Sequence, residues 1–114
     1  MPIRGLLRSA FIIGAVWALW HYAPLLRINR PLMWIAWLTL GTLAMRLILV
    51  CLYVRCGYTI WIPAAFHFAD NICWQLQQAR GIAFHPEVHA IAMIVMAIAI
   101  WMLVSDREER IPGD

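Results

Sequence analysis

Residues 31–54 read PLMWIAWLTLGTLAMRLILVCLYV, a continuous apolar run interrupted by a single charge, Arg46. About 18 such residues are enough to cross the hydrocarbon core of a bilayer as a helix. The run does not alternate polar with apolar positions, so it is not a barrel strand. Pro31 suits a helix start, where its missing N–H is not needed.

The same pattern recurs on either side. Upstream, Ser9 to Leu26 forms a first run that stops before Arg27-Ile28-Asn29-Arg30. Downstream, Arg55-Cys56-Gly57 makes a turn into a third run, Tyr58 to about Gln77, which holds Pro63, His67, Asp70 and Asn71 and is the least apolar. Polar residues and Gly81 end that run. Pro86-Glu87 then introduces a fourth, Val88 to Val104. The reading is all-α: a transmembrane bundle of about four antiparallel helices (about 9–26, 32–54, 58–77 and 88–104) forming one domain over 1–104. A polar, disordered tail over 105–114 is expected to follow.

Composition supports this. The chain is 64% hydrophobic and 13% charged, with mean hydropathy +0.75. That charged share is about half the usual one for soluble domains, and so apolar a small domain could not cover its own surface in water. The seven tryptophans suit the lipid–water boundary and are read as belt and packing. All basic residues are arginines near the ends of apolar runs, apart from Arg46, so snorkelling explains them and nucleic-acid binding is not expected. Cys51, Cys56 and Cys73 have no metal-ligand spacing and are read as buried, reduced thiols. No cleavage site follows the first run, so it is kept as a helix. Short connections put both termini on one side with Arg4, Arg8, Arg55, Arg107 and Arg110, opposite Arg27, Arg30 and Arg80. This favours cytoplasmic termini.

Ionisable groups at membrane depth need a partner or a task. His67 and Asn71 are spaced i, i+4 and share a helix face. His21 lies in a helix running the same way, at a matching depth, so the three can converge. Two imidazoles can hold a metal or polarise a carbonyl, and a carboxamide can donate to an oxyanion. Hydrolysis also needs a base, and Asp70, at i+3 from His67, is the only interior acid. The plainer alternatives are an interhelical hydrogen bond for each histidine and an Arg46–Asp70 ion pair. His85 and His89 are read as interfacial. Pro24 and Pro63 are expected to end or kink their helices.

The stretch Gly14-Ala15-Val16-Trp17-Ala18-Leu19-Trp20-His21-Tyr22-Ala23-Pro24 resembles the second motif of the CPBP (CAAX prenyl protease and bacteriocin-processing, Abi) intramembrane proteases. Trp61 to Asn71 resembles the later motif, histidine followed four residues on by asparagine or aspartate. The resemblance implies that His21, His67 and Asn71 are active-site positions around a water or a divalent metal such as zinc, with His21 and His67 as its ligands. The family's first motif, paired glutamates supplying the base, is missing ahead of His21, although Ile3-Arg4-Gly5-Leu6-Leu7 resembles the segment just after those glutamates. Glu108-Glu109 is no substitute. A chain truncated before its second motif, or a degenerate member, is expected, and inactivity with it.

Three functions are expected from this. The first is a CPBP-type endopeptidase core acting on membrane-proximal or prenylated peptides, linked to bacteriocin self-immunity. It would be a multi-pass protein of the bacterial cytoplasmic membrane, with lipid and the peptide as partners. The second is an inactive pseudo-protease that binds a membrane peptide as an immunity factor. The third is a haem- or metal-binding bundle with His21 and His67 as axial ligands.

Overall fold

The computed structural model describes residues 3–108, with side chains described from Arg4 to Val104. Four helices make it up: α1 Ile3–Arg27, α2 Leu32–Arg55, α3 Trp61–Ala79 and α4 Pro86–Glu108. No strand occurs among the described residues. α1 begins six residues before Ser9, because Arg4 and Arg8 face outward and the helix needs no apolar residue at those positions. α4 continues through Glu108, so the first part of the expected tail is helical; residues 109–114 lie outside the described residues.

The connections arise from local chemistry. After α1, Asn29 takes φ 55°, and Arg30 N–H returns to the Leu25 carbonyl. After α3, Gly81 takes φ 70°, Gly81 N–H donates to Gln78 O at 3.0 Å and Ile82 N–H donates to Gln77 O at 2.9 Å. Both are Schellman stops, with a residue tolerant of left-handed backbone just past the helix. Pro63 occupies the first turn of α3, where the N–H groups have no intrahelical partner, and so helps to start the helix without kinking it. Pro24 lies inside α1, in its last turn.

α2 is the central helix, and each of the others packs on it. Ala10, Gly14 and Ala18 make a small-residue stripe on α1 where it approaches α2, and all three are buried. On the other side Gly41 and Ala44 of α2 meet Ala90 and Ala97 of α4 around a core of Met45, Ile48 and Met93. In lipid, helices associate through close packing, and small residues permit it.

Register sets the topology. Tyr22 meets Thr39 while Trp17 meets Arg46, so α1 and α2 are antiparallel. Trp34, near the start of α2, meets Phe84 just before α4, and Gly41 lies against His89 and Ala90. α2 and α4 therefore run the same way, and α3 must carry the chain back between them.

α1, α2 and α4 are long and apolar enough to cross a membrane; α3 falls short of that on hydropathy. At about 1.5 Å per residue, its 19 residues still span roughly the hydrocarbon thickness. Large apolar side chains face outward, with Trp20 80% and Leu32 77% exposed, as expected where lipid is the cover. Of the three cysteines only Cys51 is buried; Cys73 is exposed, and all are free.

Candidate functional site

α1 and α3 pack on α2 without packing on each other. The gap between them is a cleft of about 1010 Å³, floored by α2 and closed at one end by the loop Gly81–Phe84. His21 from α1 and His67 and Asn71 from α3 all line it. So do Asp70, Arg46 and His89.

His21 Nδ1 lies 2.7 Å from the Trp17 carbonyl. A carbonyl only accepts, so Nδ1 carries the proton and Nε2 is left with its lone pair. His67 Nδ1 is buried with no hydrogen-bond partner. Asn71 is exposed to the cleft, and no hydrogen bond among the described residues occupies its carboxamide. Two imidazoles and a free amide thus border one space. Tyr22 O–H donates to Thr39 Oγ at 2.9 Å, and Thr39 donates on to Ile35 O, fixing the α1–α2 wall.

The expected Arg46–Asp70 ion pair does not form. Asp70 Oδ1 instead accepts from His89 Nε2 at 3.0 Å, tying α3 to the first turn of α4. Arg46 lies over the Trp17 ring, 4.8 Å from its centroid, with Nε buried and unpartnered. Gly14 makes this possible, because a Cβ there would stand 3.3 Å from Arg46 Cγ. A cation at the centre of a membrane helix costs about 3 kcal/mol on insertion scales, so this arrangement is expensive unless something offsets it.

His89, read from the sequence as interfacial, also forms part of the cleft wall. Its partner lies 19 residues away; only the spacing of two isolated charged or polar groups in neighbouring runs could have hinted at the pair. Trp17, Trp34 and Trp74 also line the cleft, whereas Trp20 and Trp61 face outward as belt residues should. His85 is exposed and pairs with Glu87 at 3.3 Å, a surface contact of little energetic weight.

A resident metal would need three or four donors. Among the described residues no group of three His, Cys, Asp or Glu side chains is placed to hold one. Among the described residues Asp70 is the only carboxylate on the cleft, and His89 already engages it. His21 and His67 supply at most two nitrogens, so these residues by themselves do not fit a metal centre.

Neither a curated protein nor a solved structure matches the chain. The family model described as type II CAAX prenyl endopeptidase Rce1-like matches residues 3–73, which is more than half of the sequence and includes His21, His67 and Asn71. The chain therefore belongs to the Rce1-like type II CAAX prenyl endopeptidase family and is an integral membrane protein.

Proposed function

We propose that the cleft binds the peptide end of a membrane-proximal or prenylated substrate and is the hydrolytic site of a CAAX-type intramembrane endopeptidase. The observation that carries this reading is the cleft itself: His21 and His67, from helices that do not pack on each other, border one cavity with Asn71. The Nε2 lone pair of His21, left open by the Nδ1–H bond to Trp17 O, accepts a hydrogen bond from the attacking water and orients it. His67 polarises the water or the scissile carbonyl, and Asn71 N–H donates to the oxyanion that forms. A base carboxylate, and the third donor of any zinc-like ion, would have to come from outside the described residues. The family resemblance supports a bacterial cytoplasmic membrane and a link to bacteriocin self-immunity.

A second reading is a pseudo-protease that binds a membrane peptide without cleaving it, as an immunity protein would. The engagement of Asp70 by His89 favours it, because the one cleft carboxylate among the described residues is not free to activate water.

A photoreactive farnesylated C-a-a-X peptide, added to the chain in lipid vesicles, separates these readings. Crosslinking to α1 and α3, with release of the C-terminal fragment that His67→Ala abolishes, supports the peptidase. Crosslinking without release supports the pseudo-protease. No crosslinking in the cleft removes both.

A further inference from the structure

Among the described residues Arg46 is a charge without a counter-charge. It lies mid-helix in α2, about 13 Å from Arg55 at 1.5 Å per residue, too deep for its guanidinium to reach an interface. Its Nε is buried and unpartnered, and the only cleft carboxylate among the described residues is taken by His89. The Trp17 ring offsets the charge only in part. Among the charged residues lining the cleft, Arg30 and Arg46 face Asp70 alone, so the cavity carries an excess of positive charge. Arg30 stacks on Trp34 near the cleft's end, 4.7 Å from that ring, which leaves Arg46 as the deep cation. An intramembrane arginine needs a partner, and an oxyanion is one to which its planar fork can donate two hydrogen bonds.

Resting on the peptide-binding reading of the cleft, we propose that Arg46 is the anchor for an oxyanion on the ligand, namely the free α-carboxylate at the end of the bound peptide. A C-a-a-X sequence lies at a C-terminus and so ends in that group. The spacing agrees. Trp17, which Arg46 covers, lies one turn before His21, about 6 Å along α1. An extended chain rises at most about 3.5 Å per residue, so two extended residues beyond a carbonyl held near His21, or three on a bent path, bring a carboxylate to Arg46. Arg46 is then a specificity-determining residue: it selects peptides that end where the cleft ends.

The test compares a fluorescent farnesylated peptide with a free C-terminal carboxylate against the same peptide as its C-terminal amide. Both are titrated against the full chain in phosphatidylcholine vesicles. The expected result is at least about tenfold tighter binding of the acid. That preference should vanish in Arg46→Gln and persist only in reduced form in Arg46→Lys, which keeps the charge but not the two-pronged fork, with both variants checked for helicity and monodispersity. Equal binding of acid and amide by the parent chain, which needs no variant to observe, would overturn the assignment and leave the peptide site standing. So would a preference that persists in Arg46→Gln. Loss of the preference when phosphatidylglycerol is added would show that a lipid phosphate is the anion, and would overturn the peptide assignment. Failure of both peptides to bind would overturn the peptide site together with the anchor.

Discussion

The ring of His67 is held in the cleft wall with Nδ1 buried and unsatisfied. Such a group costs about 1–3 kcal/mol, and folded proteins tolerate it mainly where it serves a purpose. Replacing His67 with phenylalanine removes the orphan nitrogen and keeps a flat ring. The expected outcome is a chain no less stable than the parent, by up to about 1 kcal/mol more stable, in detergent unfolding. Crosslinking or cleavage of the prenylated peptide should fall at the same time. A clear loss of stability would mean that the nitrogen has a structural partner. The residue scale is also where the sequence is least legible. The apolar runs make Arg46 and Asp70 stand out as isolated charges, and pairing them is the cheapest resolution. Asp70 instead finds His89, whose place after Pro86-Glu87 suggests only the start of a helix. Two polar groups 19 residues apart meet or miss according to how α3 and α4 are rotated, and nothing local encodes that rotation.

At the scale of the elements, helix existence is legible because each run is long and apolar, and helix ends are legible wherever a stop residue is present. Gly81 is an example, since its positive φ is the conformation a side chain resists. Helix contacts are less visible. Gly41 looks like any glycine in an apolar run, yet a Cβ there would stand 3.2 Å from His89 Nδ1 and 3.4 Å from the Ala90 backbone. The tight contact is with the His89 ring, which Asp70 holds in place, and valine adds two methyl groups beyond that Cβ towards the Ala90 backbone, so Gly41→Val should separate α2 from α4 and destabilise the chain by about 1–3 kcal/mol. Gly5 in α1 is the contrast, with nothing within 4 Å. Gly5→Ala should be neutral or stabilising by up to about 1 kcal/mol, through helix propensity. Equal effects of the two substitutions, read from unfolding midpoints in the same detergent, would refute the close approach.

On the scale of the whole molecule, the parallel course of α2 and α4 makes α3 a crossing segment even though its own hydropathy falls short. Its polar side chains are tolerated because they face a cleft instead of lipid. The chain then crosses an even number of times. Reporter fusions at the two termini should report the same compartment, and a reporter inserted after Arg80 the opposite one. Termini in different compartments would mean that α3 lies along the membrane surface, and the cleft could not exist as described.

The linear order of residues was enough to establish a membrane-embedded, four-helix chain, because hydrophobic run length and stop signals are local properties. It was also enough to single out His21, His67 and Asn71, because ionisable and amide groups are conspicuous among apolar neighbours. Which of these groups share a space, which charge is answered and which is left open depended on helix rotation and on close approach at Gly14 and Gly41. Those are set by packing summed over whole interfaces, so the unanswered charge of Arg46 became visible only once α2 was in place between its neighbours.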